Sequence, residues 1–282
     1  MTRTLEDQPL PHHLMGPRPQ PPGPDWRRVM TGSWQPPTVV EPRLRVRAFG
    51  PLRLTLDGAP VPAGRPSDRP ALQLLALLVA HGCQPLDAGT VADELGPGHD
   101  PQRRPAALQR TVGRLRQLLQ VADALQADAG HLALNPQVLW SDVAAFESLT
   151  EAAAAGSERA PWQALALYQD ALLGTGPVSP RLLARRQHLA QRLCTLATDS
   201  AARLRACHAG ASAARLLQQA LACKPLCEPL YRELMRTQLA LGERAEALRT
   251  HERCTQLLQA ALGVAPSAAT EALALDARSR AA

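Results

Sequence analysis

With 282 residues, 45% of them hydrophobic, the chain can bury the cores of two ordinary domains, which excludes a wholly disordered protein. Aromatic residues make up only 3%, so the core must be built of Leu, Ala and Val, and packed helices suit that better than a β-sandwich. A net charge of +6 and a pI near 9.4 fit a polyanionic partner, with the placement of the charge carrying more information than its sum.

Lys224 is the only lysine, and this removes several enzyme classes. A phosphate-binding Walker loop needs a lysine after a glycine-rich turn, and a Schiff-base enzyme needs a lysine beside a cofactor cradle. Lys224 stands in Ala-Cys-Lys-Pro-Leu with neither. The Gly-x-Ser-x-Gly, His-Glu-x-x-His and Gly-x-Gly-x-x-Gly patterns are all missing from the sequence. Six cysteines, at 83, 194, 207, 223, 227 and 254, lack the density of a secreted disulfide framework, so reduced thiols are expected. The start has no basic-then-apolar signal pattern, and the most apolar run, 71–80, is too short to cross a bilayer. A cytoplasmic protein with no membrane partner follows as the expectation.

Residues 1–42 hold ten of the 26 prolines and read as a flexible leader, because proline fixes φ and removes a hydrogen-bond donor. From Arg43 the texture changes. Leu44-Arg-Val-Arg-Ala-Phe49 and Leu52-Arg-Leu-Thr-Leu56 alternate as half-buried strands do, and Asp57-Gly58 signals a tight turn toward 59–61. Asp68 and Pro70 start a helix whose Leu72, Leu74, Leu75, Leu77, Leu78 and Val79 make it apolar nearly all round; Gly82 ends it. A second helix, 87–95, is capped by Asp87 and stopped by Gly96-Pro97-Gly98.

The stretch 105–120 predicts an amphipathic helix opened by Pro105. Leu108, Val112, Leu115 and Leu119 form one stripe, and Arg110, Gly113, Arg114 and Gln117 lie opposite. From 101 to 121 there are five arginines and no acid. A solvated face and a DNA-reading face both account for this. Residues 125–134 then predict two short strands about Asp128-Ala129-Gly130. The order of sheet, three helices and hairpin is that of a winged helix-turn-helix, whose third helix enters the major groove. On that reading Arg110, Arg114 and Gln117 are the base-edge candidates, since an arginine fork bonds guanine O6 and N7 together, and Gly113 allows close approach. Arg103 and Arg104 at the helix entrance, with Arg116 to one side, are the phosphate candidates. The wing, 128–131, carries an acid and no arginine, so its contribution should be small.

Beyond Trp140 the pattern is helical throughout: 141–149, 161–173, 180–209, 211–222, 227–241, 243–261 and 267–277. Ala209-Gly210-(x2)-Ala213-(x2)-Leu216 is echoed by Leu241-Gly242-(x2)-Ala245-(x2)-Leu248, close to the roughly 34-residue period of tetratricopeptide helix pairs. Within this half, Cys207, His208, Cys223 and Cys227 do not follow a recognised zinc spacing. His251 and Cys254 lie three apart on one helix, without a recognisable orienting carboxylate. His12-His13 is too short a metal motif. No catalytic residue, metal or cofactor is expected.

Three segments resemble a known family. Arg45-Val-Arg-Ala-Phe-Gly-Pro-Leu-Arg-Leu54, Leu108-Gln-Arg-Thr-Val-Gly-Arg-Leu-Arg-Gln-Leu-Leu119, and Leu134 through Trp140-Ser-Asp-Val-Ala-Ala-Phe146 are similar to the SARP family of bacterial transcriptional activators, whose reader is an OmpR-like winged helix. The run 229–248, followed by Glu252-Arg-Cys254 and Leu262-Gly-Val-Ala-Pro266, resembles the bacterial transcriptional activator domain that accompanies that reader, with the likeness extending over 142–275. The chain departs from the family at Glu94-Leu95-Gly96, where a Leu-Trp pair is usual, and at His131, where an aromatic residue follows the wing glycine. The resemblance implies an activator that binds direct promoter repeats in double-stranded DNA, as a homodimer or in tandem, and recruits RNA polymerase. The resulting expectation is a mostly α protein: leader 1–42, α+β winged helix-turn-helix 43–140, and all-α tetratricopeptide-like domain 141–282. Its alternative is a helical-repeat adaptor with weak or non-specific DNA binding.

Overall fold

The computed structural model describes residues 42–62, 65–96, 102–174, 176 and 178–279. The leader as far as residue 41, with His12-His13, and the Pro97-Gly98 part of the helix stop lie outside them.

Alternation produces the first sheet. β1 (Leu44–Arg47) pairs antiparallel with β2 (Arg53–Leu56), Leu44 opposite Leu56 and Arg47 opposite Arg53, and β3 (Ala59–Pro60) extends the ladder. Asp57 and Gly58 take φ of 49° and 82°, as a two-residue hairpin turn requires. Leu44, Val46 and Leu54 face the core.

A short 3-10 turn (Pro66–Asp68) leads into α1 (Arg69–Ala80), whose residues from Leu74 to Ala80 are all buried, so it runs through the centre of this half. Asp68 precedes the helix as expected, but its side chain makes no cap bond. In α2 (Ala88–Leu95) Asp87 does cap, accepting from the Thr90 N–H at 2.7 Å. α3 (Arg104–Leu119) follows. β4 (Leu86–Asp87), β5 (Leu125–Asp128) and β6 (His131–Leu134) form a second sheet in the order β4-β6-β5, with β5 and β6 joined through Ala129 and Gly130.

One strand has no counterpart in the sequence pattern. β7 (Leu139–Ser141) adds to the first sheet parallel to β1, Leu44 opposite Leu139, giving the order β3-β2-β1-β7. The remaining elements are helices: α4 (Asp142–Ala154), α5 (Ala160–Leu167), α6 (Pro180–Ala206), α7 (Gly210–Cys223), α8 (Glu228–Ala240), α9 (Arg244–Leu262) and α10 (Ala268–Ser279). The fold is mostly α, with a winged helix-turn-helix followed by a helical array.

The expected helix 161–173 ends early, at Leu167, because the following residues bond to the sheet. Leu172 bridges Phe49 and Gly50, the Leu173 N–H donates to Ala48 O at 2.7 Å, and the Gly50 N–H donates to Ala171 O at 3.0 Å. Tertiary pairing thus overrides local propensity. At the same place the Asp142 carboxylate accepts from the Ala48 and Phe49 N–H groups at 2.9–3.0 Å, and Phe49, Phe146 and Tyr168 stack with ring centroids 4.6–5.6 Å apart. Pro42–Ala282 are one compact unit.

In the helical array, α7 starts at Gly210 and α9 at Arg244. Ala213 and Ala220 of α7 and Ala247 and Cys254 of α9 are buried, whereas Ala245 is exposed. The burial pattern therefore repeats two residues later than the sequence echo, and nearer the tetratricopeptide period of about 34. A Cβ on Gly210 would stand 2.7 Å from Leu241 Cδ2, so this glycine lets the start of α7 approach the end of α8.

Candidate nucleic-acid interface

α3 presents two faces because its sequence has two. Val112, Leu115, Leu118 and Leu119 are buried against α1 and α2, while Leu108, expected among them, is half-buried and Leu118 joins instead. At about 100° per residue, Leu118 lies on the side of Leu115 away from Leu119, so it widens the buried stripe at one edge. Pro105 lies in the first turn and Gln120 closes the helix in the left-handed region, φ 55°, its N–H donating to Arg116 O.

On the opposite face Arg110, Gly113 and Gln117 are exposed, as are Arg103 and Arg116 on either side. The Arg110 Nε–H reaches back to Ala106 O at 3.4 Å and leaves the guanidinium at the surface. A Cβ added at Gly113 would meet nothing within 4 Å, so no packing within the chain calls for glycine there. Mid-helix glycine costs about 0.5–1 kcal/mol relative to alanine, and the fold gains nothing for it.

Two of the seven candidate residues are tied to acids that the sequence pattern does not connect with them. Arg104 Nη1 donates to Asp93 Oδ1 of α2, pinning the entrance of α3 to its neighbour. Arg114 lies at the edge of the exposed face and turns its fork to Asp68, with Nε and Nη2 donating to Oδ1 at 2.8 and 2.5 Å. Its Nη1 donates to Gln117 Oε1 at 3.0 Å. The hydrogen bond from Arg114 holds the Asp68 carboxyl below its usual range, against the burial that works to raise it. The only available signal was an isolated acid just ahead of α1 facing an arginine-rich helix, and nothing local fixes that pairing.

The hairpin β5–β6 packs through β6 against α1, with Ala129 at φ 48° and Gly130 at φ 81°. His131 is exposed and opposite Asp87, and its ring nitrogen lies 3.2 Å from Ala129 O. No arginine occurs in 125–134.

In the helical half, no group of three His, Cys, Asp or Glu side chains gathers as a metal site among the described residues. Cys227 faces Cys194 of α6, sulfur to sulfur 2.6 Å, rather than Cys223 or His208, and both cysteines are free thiols. His251 does have a carboxylate partner, contrary to the expectation from sequence: Glu271 Oε1 of α10 lies 2.9 Å from its Nε2. Cys254 is nevertheless completely buried, and burial pushes its thiol up to about 11, so it is no nucleophile near neutral pH.

Residues 141–277 match the family described as the bacterial transcriptional activator domain. The helical half of the chain is thus similar to that domain. The transcriptional regulatory protein EmbR of Mycobacterium tuberculosis and its counterpart in Mycobacterium bovis are 36% identical over 90 residues, 32% of this chain and 21% of the relative. The chain thus matches about a fifth of the length of those relatives. A solved structure of Mycobacterium tuberculosis EmbR in complex with a low affinity phosphopeptide superposes with a TM-score of 0.59 at 24% identity, covering 84% of this chain and 65% of that one. That likeness is one of fold. No helix among the described residues is long and apolar enough to cross a membrane.

Proposed function

We propose that this regulator binds double-stranded promoter DNA through α3, with residues 43–140 as the reader and 141–282 as the domain that contacts other proteins. Arg110, Gly113 and Gln117 face the base edges, and Arg114 meets them from the side with its fork held by Asp68. Arg103 and Arg116 contact phosphates, and Arg104 does so from a position fixed by Asp93. The observation that carries this reading is Gly113: a glycine in mid-helix, flanked by exposed cations, with open space where its side chain would be. Close approach of a groove floor accounts for it, and a merely solvated face does not. Binding to repeats as a homodimer, recruitment of RNA polymerase through the helical array, and a cytoplasmic location with the nucleoid as the bound state complete the proposal.

The adaptor alternative draws support from the arginine-free wing and from the two arginines engaged within the fold. Footprinting on the protein's own upstream region at near-physiological salt separates the two. The reader gives a discrete protected repeat that Arg110→Ala weakens by about 1–3 kcal/mol. Uniform weak protection, indifferent to Arg110→Ala, selects the adaptor. Arg114→Ala is the poorer probe, because it leaves the buried Asp68 carboxylate without its partner.

A further inference from the structure

The Asp68 side chain is 2% exposed, and two of the Arg114 nitrogens are committed to it. The third, Nη1, donates to the Gln117 amide one turn further on, at 3.0 Å. A guanidinium can only donate, so the amide atom facing it has to be the carbonyl oxygen, and the Gln117 NH2 is left to face elsewhere. The clamp is anchored, since pulling Arg114 away would leave a carboxylate in the interior without its cation.

We propose that Asp68, acting through Arg114, fixes Gln117 as a donor-only reader of the major groove. In that state Gln117 selects a base edge that offers an acceptor, guanine O6 or N7 or thymine O4. It disfavours adenine, which sets its N6 donor beside the single N7 acceptor and is bound well by an amide only when the carbonyl, here turned toward Arg114, accepts from N6 while the NH2 donates to N7. Asp68 is a positioning residue here: it touches no DNA and sets which half of the amide is presented. Arg114, for the same reason, supports Gln117 instead of forming its own bidentate contact with a base. The inference rests on the reading that α3 lies in the major groove.

The test is selection from a randomised duplex DNA pool by the full chain, comparing the unaltered protein with Gln117→Ala, Gln117→Lys, Gln117→Glu and Asp68→Asn. The base pair at which Gln117→Ala alone loses preference identifies the contact. There the unaltered protein should favour guanine or thymine over adenine by at least about fivefold. Gln117→Lys, also donor-only, should keep that preference, and Gln117→Glu, acceptor-only, should lose it. Asp68→Asn should raise adenine at this position and leave the others unchanged. A preference for adenine in the unaltered protein overturns the proposal, as does loss of the preference in Gln117→Lys. If thermal melting shows Asp68→Asn unfolded, the Lys and Glu variants decide alone. A selected sequence with no position sensitive to Gln117 sinks the donor-only assignment and leaves α3 as the reader. Selection of no sequence by the unaltered protein removes the reader, and this inference with it.

Discussion

The carboxylate of Asp68 and the guanidinium of Arg114 are joined at 2.5 Å although 46 residues separate them, fastening the front of α1 to the middle of α3. Val112, Leu115, Leu118 and Leu119 hold α3 by burial alone, which fixes its depth. A directional bond of this kind also resists rotation about the helix axis, and so helps determine which side chains face outward.

This pair gives stability a defined pH dependence. Arg114 lowers the carboxyl of Asp68 in the folded state, so its stabilisation is complete above the ordinary carboxylate value of about 4 and lost as pH falls through the lower, folded value. Thermal unfolding measured between about pH 6 and about pH 3 should show Asp68→Asn losing less Tm over that range than the unaltered protein. Parallel curves would mean that the pair contributes nothing.

Gly113 separates fold from function. With nothing but its own turn of helix within 4 Å of the place a methyl group would take, among the described residues, Gly113→Ala should raise stability by about 0.5–1 kcal/mol in urea titrations. The same variant should bind promoter DNA more weakly, because the added methyl stands between helix and groove. Unchanged binding would return Gly113 to the solvated face.

The junction at Phe49 makes the two halves interdependent. Asp142→Ala removes the acceptor of two buried N–H groups, those of Ala48 and Phe49, and should cost about 1–3 kcal/mol for each group left unsatisfied. A fragment 43–140 lacks Asp142, Phe146 and Tyr168 and should unfold at lower urea than 42–282. Equal midpoints would show that the reader folds independently of the helices behind it.

Thiol exposure tests the non-enzymatic reading. In the folded protein Cys207 is exposed, whereas Cys83 and Cys254 are buried with thiols pushed up to about 11. Alkylation at about pH 8 should label the exposed Cys207 and leave Cys254 unlabelled until the chain unfolds. Rapid labelling of Cys254 would reopen the His251–Glu271 pair as a catalytic arrangement.

Much of the fold was legible because it is written in local period. Alternation marked β1 and β2, glycine and proline marked the ends of α1 and α2, and the stripe of α3 was right apart from exchanging Leu108 for Leu118. What the sequence concealed depends on distant partners. Leu139-Trp140-Ser141 is too short to show a period, and β1, which makes it a strand, lies far back in the chain. Residues 168–173 continue a helical pattern but bond instead to Ala48 and Gly50. At the candidate site the residue types were readable, whereas the acids that hold Arg104 and Arg114 were not, because their pairing is set by how three helices pack.

The division of labour on α3 is tested most directly by base preference. In selection from randomised duplexes at fixed salt, Arg110→Ala should abolish preference at one base pair and leave the others intact. Arg103→Ala should weaken binding evenly across sequences and reduce the slope of log affinity against log salt by about 1. If both variants instead lose affinity evenly, with no base pair singled out, α3 is a basic surface and not a reader.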